Sequence, residues 1–231
     1  MLSVIMPHLR LAVELDVMAA RTVEQAVKNA DHPSQIEMII VDSGSRKTAA
    51  VQVWCDQVMR YASMWLQILD RGLSYAEAAN LGLHIARGEI ISVLNNDCIP
   101  PLHWDTLLEE GMMSAPQGVV TGTDLYRGPV VIADEPWGAF WAMPRVVYQK
   151  VGDLDEQFVY GMFEDQDYWC RVHQCGYSVS QYGALVCQHI GSATFQSLPN
   201  GPSIYSLNRR YMRRKWDADS YRDWKQSISE S

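Results

Sequence analysis

The sequence predicts an α/β fold whose central sheet is mainly parallel and Rossmann-like. Four short, mostly apolar runs in the first hundred residues read as buried strands, at residues 2–6, 36–41, 65–69 and 90–94. Segments with helical spacing of their apolar residues separate these runs, at residues 11–30, 47–60 and 74–87. Strands that alternate with helices form βαβ units, so these strands should be parallel and flanked by helices.

Residues that start or stop helices set the boundaries of these elements. Pro7 closes the first strand, and Pro33 prevents the first helix from continuing. Ser74 and Glu77 form a capping box at the start of the third helix, which ends before Gly88.

The second half of the chain has a mixed pattern, so we expect a smaller mixed α/β half there. Its predicted elements are a helix at 104–113, strands at 118–123 and 130–133 around a turn at 127–129, and a short helix at 144–151. The chain has 231 residues, of which 48% are hydrophobic, which fits a single domain over residues 1–231.

The charge and cysteine content narrow the class of protein. A net charge of −8 makes nucleic acid an unsuitable partner for the body of the protein. Five cysteines without a CxxC pair fit a reduced, intracellular setting. No stretch approaches the ~20 apolar residues of a membrane span. We therefore expect a cytoplasmic protein.

Polar residues follow the predicted strands of the first half. Asn95, Asn96 and Asp97 come directly after the strand at 90–94, and Asp42 comes after the strand at 36–41. In open α/β sheets, ligands bind at the carboxyl edge, where these side chains should meet. Taken alone, residues 90–97 would be interpreted as a strand followed by an Asx turn. Because polar residues follow more than one of the predicted strands, a ligand-binding crevice at this edge is favoured.

Several stretches resemble family 2 glycosyltransferases with the GT-A fold. In the first half they are SVIMP at 3–7, IIVDSGS at 39–45 and GEIISVLNNDCIP at 88–100, whose Asn-Asn-Asp is typical of rhamnosyltransferase-like members. In the second half they are GAFWAMPRVVYQKVG at 138–152 and GDLDEQFVYGMFEDQDYWCRVHQCGYSV at 152–179. The resemblance covers about residues 2–216.

This resemblance implies an inverting, metal-dependent glycosyltransferase of the hexosyltransferase type, as in polysaccharide biosynthesis. The donor would be a nucleoside-diphosphate sugar, UDP- or dTDP-linked. The acceptor would be a hydroxyl of a glycan, a lipid-linked saccharide or a protein glycan. Residues 1–100 would bind the donor, and residues 101–200 would hold the acceptor and the catalytic base.

On the donor side, the resemblance assigns Asp97 to the divalent ion on the diphosphate and Asp42 to the uracil or thymine base. The other donor residues that it implies are Pro7, Arg71, Asn80 and Asn96. Two positions depart from the family pattern, because His8 replaces a small hydroxyl residue and Ala79 stands where many members have arginine.

His189 follows a predicted strand at 185–187. A lone histidine there is most often structural, but the family often places a metal ligand after its last core strand. Carboxylate and imidazole ligands together suit Mn²⁺ better than Mg²⁺. The implied cofactor is therefore a divalent cation, held by Asp97 and His189.

The resemblance makes Asp165 the general base and puts Trp137, Gly138 and Glu164 on the acceptor side. Acidic residues are also favoured at helix starts for the helix dipole alone, so an acid-rich first turn is the simpler interpretation. The dipole should lower the pKa of Asp165. Glu164 lies about 100° from Asp165 around a helix, so only one of them should face the acceptor.

Two other interpretations remain open. The chain could be a catalytically degenerate GT-A module that binds a glycan or a partner. A structural zinc site could use cysteine and histidine side chains, although their spacing fits no standard zinc motif; these are Cys170, His173, Cys175, Cys187 and His189.

The segment at 201–231 is a basic, aromatic helical tail. The simpler interpretation is a solvated helix that packs its aromatic side chains on the body. The other interpretation is peripheral contact with an anionic membrane leaflet at its inner face, or with a lipid-linked acceptor.

Overall fold

A sheet of eight strands forms the centre of the protein in its computed structural model, which describes residues 1–44, 56, 58–68, 71–115, 118–133, 136–191, 193–198 and 200–229. The strands are β1 (Leu2–Leu9), β2 (Ile36–Ser43), β3 (Met64–Ile68), β4 (Ile90–Leu94), β5 (Cys98–Ile99), β6 (Gly118–Thr123), β7 (Val131–Ala133), β8 (Phe140–Pro144), β9 (Ser178–Val186) and β10 (Gln188–His189). Strands β5 and β10 form a separate antiparallel ribbon.

The strand order across the large sheet is β3-β2-β1-β4-β8-β6-β9-β7. Strand β1 pairs in parallel with β2 and β4, and β2 pairs in parallel with β3. Strands β6 and β9 are also parallel to each other, whereas β8 is antiparallel to both β4 and β6, and β7 is antiparallel to β9. The predicted α/β fold with a mainly parallel sheet is thus confirmed.

Helices cover the sheet, and in the described residues they are α1 (Val13–Lys28), α2 (Tyr75–Ile85), α3 (Trp104–Ser114), α4 (Arg145–Val151), α5 (Glu164–Gln174), α6 (Ala193–Gln196), α7 (Gly201–Trp216) and α8 (Tyr221–Ser229). A 3-10 turn, Pro33–Gln35, precedes β2. Alternate residues of β1 enter different apolar clusters, since Ile5 packs with residues of α2, α5 and α7, and Val4 and Met6 pack with residues of α1 and α3. A strand covered on both faces explains the unbroken apolar run.

The predicted end of the first strand at Pro7 is wrong. Strand β1 continues to Leu9, and Pro7 lies opposite Val41 of β2. Pairing between β1 and β4 involves only the first four residues of β1, to Ile5. Pro7 therefore lies where β1 has a paired strand on one side only, the edge-like position in which a proline is tolerated.

The strands predicted at residues 118–123 and 130–133 around a turn do not pair with each other. Strands β6 and β7 both form, but β9 lies between them. The turn residues bond to β9 instead, because the Arg127 amide donates to the Gly183 carbonyl and the Gly183 amide donates to the Val130 carbonyl. Local turn signals could not reveal this insertion of a strand from 50 residues later.

The predicted helix at 47–60 lies mostly outside the described residues. The predicted capping box is confirmed, since the Glu77 amide donates to Ser74 Oγ at 3.2 Å and the Ser74 amide donates to Glu77 Oε2 at 2.8 Å. It fixes the start of α2 beside the carboxyl edge of β1.

The basic, aromatic tail packs on the body of the protein. Trp216 Nε1 donates to Asp167 Oδ1 at 2.8 Å, and the rings of Trp216 and Trp224 meet with centroids 5.4 Å apart. Lys215 also bridges to Asp155 at 2.6 Å. Among the helices of the described ranges, none combines the length and apolarity that crossing a bilayer requires.

Candidate active site

A cavity of about 310 Å³ lies at the carboxyl edge of the sheet. Eight of the eleven residues that the sequence predicts for the site line it, namely Pro7, Asn96, Asp97, Trp137, Gly138, Glu164, Asp165 and His189. The other three, Asp42, Arg71 and Asn80, do not line it. After the roles expected from the sequence, we call the cavity-lining residues Pro7, Asn96, Asp97 and His189 the donor wall, and Trp137, Gly138, Glu164 and Asp165 the base wall.

The ribbon of β5 and β10 brings Asp97 and His189 together. His189 lies opposite Cys98, the residue after Asp97, and its Nε2 is 3.1 Å from Asp97 Oδ1. The Ala193 amide, at the start of α6, donates to Asp97 Oδ2 at 3.2 Å. The rings of Trp137 and His189 make an edge-to-face contact, with centroids 5.3 Å apart.

Asp97 is suited to hold a positive charge. Its burial by itself would raise the pKa, but the hydrogen bond and charge of His189 and the Ala193 amide lower the pKa of Asp97 below its usual value. The carboxylate is therefore ionised at neutral pH although only 4% of the residue is exposed. A carboxylate oxygen and an imidazole nitrogen are donors that Mn²⁺ accepts, so these two residues fit a divalent cation.

A structural zinc site is not formed by the part of the chain that the structure describes. No group of three or more histidine, cysteine or acidic side chains there could hold a metal ion. A structural zinc ion normally takes four protein ligands. Cys170 and Cys187 are instead buried in different apolar clusters on opposite sides of the sheet.

A buried chain of polar contacts begins at Asn96 of the donor wall and continues through His8, which also lines the cavity. The Asn96 amide nitrogen lies 2.9 Å from His8 Nδ1, and His8 Nε2 lies 2.8 Å from Asp16 Oδ1. Arg10 lies 3.7 Å from Asp16 and forms an ion pair with Asp42. With its hydrogen on Nε2, the imidazole of His8 donates to Asp16 and accepts from Asn96. This chain connects the end of β2 to the residue beside Asp97.

Asp42 lies at this far end, next to the cavity-lining Ser43. Its Oδ2 accepts hydrogen bonds from Arg10 and from Gln67 Nε2, the latter at 3.2 Å. Its Oδ1 is buried and has no hydrogen-bond partner among the described residues. A buried acceptor oxygen of this kind can receive a donor group from a ligand.

Arg71 and Asn80 make contacts outside the cavity. The exposed Arg71 pairs with Glu77 at 2.7 Å. The Asn80 amide bonds to both the amide and the carbonyl of Leu154, at 2.8 and 3.0 Å, and to Glu156. These contacts make Asn80 a brace between α2 and the loop after α4, a structural position rather than one facing the cavity.

Glu164 and Asp165 both line the cavity, although they lie about 100° apart around the helix. They are the first two residues of α5, where no earlier helical turn covers them. Side chains of a helix tilt toward its N-terminus, so both extend past the helix end toward the cavity.

The expected lowering of the Asp165 pKa is wrong. Burial raises the pKa of Asp165, although the Gln166 amide donates to its Oδ1 at 2.8 Å and acts in the other direction. Burial, followed by the negative charge of Asp165, raises the pKa of Glu164 to about 8. Desolvation therefore outweighs the helix N-terminus here. Glu164 Oε2 is buried without a partner in the described ranges.

Gly138 lets the Asp165 carboxylate lie close to the backbone. A Cβ atom at position 138 would overlap Asp165 Oδ2 and lie 2.9 Å from its Cγ. Real Cβ atoms do not approach that closely, so any side chain at position 138 would displace the carboxyl group of Asp165.

The sequence reasoning missed His8, Arg10 and Asp16 as parts of the site. The only available signal was His8 itself, as a departure from the resembled pattern. The contacts of His8 with Asn96 and of Arg10 with Asp42 join residues 88 and 32 positions apart. No local spacing reports such pairs.

Comparison with known proteins identifies the family. The sequence profile of "Glycosyl transferase family 2" matches residues 3–163. No curated protein matches the chain. The match ends just before Asp165, so Asp165 and His189 lie outside it.

Two solved structures of S. aureus TarS have a similar fold. One matches with a TM-score of 0.64 and 11% identity, covering 92% of this chain and 39% of that one. The other, TarS 1-349, matches with a TM-score of 0.62 and 11% identity, covering 94% and 72%. This chain therefore spans about two fifths of the first TarS chain, and at such low identity the likeness concerns the fold alone. The sheet, its helices and the matched profile together give a GT-A fold, and the chain belongs to glycosyl transferase family 2.

Proposed function

We propose that this glycosyltransferase moves a sugar from a nucleoside-diphosphate sugar to a hydroxyl of a saccharide acceptor, with inversion at the anomeric carbon and with a divalent cation. The observation that carries the proposal is that Asp97 with His189 and Asp165 line one cavity of about 310 Å³. A cation site and a base on different walls of one cavity are what in-line displacement of a diphosphate requires.

The donor wall would hold the diphosphate. Asp97 and His189 would bind the cation, preferably Mn²⁺, which supplies charge neutralisation for the departing diphosphate when it is bound. Asn96, fixed by its contact with His8, lies beside them. Asp42, which precedes the cavity-lining Ser43, would accept an N–H of uracil or thymine at its Oδ1, an atom without a partner among the described residues; this favours a UDP- or dTDP-linked donor.

The base wall would activate the acceptor. Asp165 would take the proton of the attacking hydroxyl, and its raised pKa brings it closer to the pH at which it works. With the diphosphate held at Asp97 and His189 and the acceptor hydroxyl at Asp165, attack would come from the side opposite the leaving group and the anomeric configuration would invert. Trp137 offers an aromatic surface for a sugar ring.

The proposal is tested by incubating the purified chain with Mn²⁺ and a panel of UDP- and dTDP-sugars. Release of nucleoside diphosphate, with and without added saccharides, reports turnover. A dTDP-linked rhamnose donor in the panel tests the rhamnosyltransferase-like subgroup. Nucleotide binding without hydrolysis or transfer from any donor would contradict the proposal and leave a degenerate binding module.

Membrane contact through the tail is a separate part of the proposal. Arg210 and Arg214 are exposed on α7, and they would meet anionic lipids or a lipid-linked acceptor. Replacing both with glutamate should reduce sedimentation with phosphatidylserine vesicles. Equal sedimentation of the variant and the natural chain would contradict this contact.

A further inference from the structure

The loop before α5, residues 159–163, has an unusual backbone. Tyr160, Met162 and Phe163 have positive φ angles of 60°, 74° and 76°. Residues with a Cβ atom disfavour this left-handed region, so the loop needs outside contacts to keep its shape. Glu164 and Asp165 follow it directly. The shape of the loop therefore decides where the two carboxyl groups of the base wall lie.

Asn208, in the middle of α7, supplies most of these contacts. Its side chain is 0% exposed, and its Oδ1 accepts from the Val159 amide at 3.0 Å. Its Nδ2 donates to the carbonyls of Val159, Gly161 and Met162 at 3.0, 2.7 and 3.2 Å. One amide group thus binds three of the five loop residues, through both its acceptor and its donor.

Two further contacts hold the same loop. The Tyr75 amide, at the start of α2, donates to the Tyr160 carbonyl at 2.8 Å. The ring of Phe163 packs on Tyr205 of α7, with centroids 5.0 Å apart. The loop is therefore fixed between α2, from the donor half, and α7, from the tail.

We propose that Asn208 is a positioning residue for catalysis, which holds the 159–163 loop in the shape that directs Asp165 into the cavity. Asn208 does not line the cavity, so it acts through the loop and not by touching the substrate. This inference rests on the proposed role of Asp165 as the base. It gives the tail a part in catalysis that does not depend on membrane contact.

The test uses Asn208→Asp in the full chain, because aspartate has nearly the same shape, keeps an acceptor for the Val159 amide and loses the donor to the three carbonyls. Met212→Ala is the matched control. Met212 is one turn further along α7, is also 0% exposed and belongs to the same apolar packing. If Asn208→Asp does not fold, Asn208→Ser replaces it.

The first measurement is hydrogen exchange of the amides in the 159–163 loop. Asn208→Asp should exchange these amides faster than the natural chain while the amides of β1 and β4 stay protected. Met212→Ala should not accelerate exchange in this loop more than in the rest of the chain. Unchanged exchange at 159–163 in Asn208→Asp would overturn the inference.

The second measurement is turnover. A small misplacement of the base can lower the rate by roughly 10²-fold, so kcat should fall by that order in Asn208→Asp while the affinity for nucleotide with Mn²⁺ stays unchanged. Met212→Ala, measured well below its melting temperature, should retain kcat. Equal loss of kcat in both variants would overturn the inference, because it would indicate general destabilisation of α7.

The two measurements separate this inference from the proposed function. If the natural chain transfers no sugar from any donor, the proposed function fails and the catalytic role of Asn208 fails with it. Hydrogen exchange then still decides whether Asn208 holds the loop. If the natural chain is active and Asn208→Asp keeps its kcat, only the positioning role is overturned.

Discussion

The two walls of the cavity treat their buried carboxyl groups in opposite ways. On the donor wall, Asp97 has an imidazole and an amide as partners, and its pKa is lowered. On the base wall, Glu164 and Asp165 have no cationic partner within the described residues, and their pKa values are raised by burial. The walls share one cavity, so the difference comes from the partners.

This difference fits two chemical roles. A carboxylate that stays ionised can hold a cation throughout a reaction, whereas one with a raised pKa accepts a proton readily near neutral pH. Two sets of carboxyl groups with pKa values moved apart are a common sign of divided roles in an active site. The predictions below test whether the walls divide the work in this way.

Removing the base should have the largest effect. Asp165→Asn keeps the size of the side chain but cannot accept the proton, so turnover should fall by the ~10²–10⁴-fold typical of a lost general base. Nucleotide affinity with Mn²⁺ should persist, because the donor wall is untouched. Nucleoside-diphosphate release and calorimetric titration measure the two quantities. Near-normal transfer would move the base assignment to Glu164.

Removing the cation ligand should affect binding first. Asp97→Ala should weaken manganese-dependent binding of UDP by at least the ~10–100-fold seen for lost supporting groups at metal sites. His189→Ala should weaken it too, and lower the rate as well. Titration of UDP with and without Mn²⁺ checks both variants. If Mn²⁺ increased the affinity of Asp97→Ala for UDP as much as it does for the natural chain, the cation would bind elsewhere.

Asp42→Asn should lower nucleotide affinity by about 10–100-fold, the range for a lost hydrogen bond to a charged group. Asparagine suits the test better than alanine because its amide oxygen can still accept the hydrogen bond from the buried Arg10, whereas alanine would leave the guanidinium without an acceptor there. Pyrophosphate with Mn²⁺ is the control ligand, since it has no base to recognise. Equal loss of affinity for UDP and pyrophosphate would contradict the proposal that Asp42 recognises the uracil or thymine of the nucleotide.

The last prediction concerns the dependence of stability on pH and not activity or binding. Because the pKa of Glu164 is raised from 4.5 to about 8, the folded protein keeps a proton between these values that the unfolded chain has released. The free energy of unfolding should therefore fall as pH rises through this range. Glu164→Gln removes this contribution. The melting temperature of the variant, relative to that of the natural chain, should therefore increase from pH 5 to pH 8. Parallel curves would contradict the raised pKa.

All four residues of the base wall were predicted, whereas on the donor side the prediction also included Asp42, Arg71 and Asn80, which do not line the cavity. Asn96 and Asp97 end a strand of a parallel sheet, and chain order alone places such strand ends at one edge. The predicted direction of the shift in the Asp165 pKa was wrong, because the shift depends on burial by elements that pack around α5. Local spacing in the sequence does not reveal those elements. Asn208 was missed because it binds a loop 49 residues away and lies in a segment interpreted only as a tail.

The close approach of Asp165 to Gly138 has a consequence for how relatives of this chain are classified. A duplicated gene that acquired alanine at position 138 would keep every acidic residue and the histidine, yet its added methyl group would displace the carboxyl group of Asp165, the proposed proton acceptor. Surveys that count charged residues would score such a paralogue as a working enzyme. Whether a homologue is active is therefore recorded partly in a residue that has no side chain.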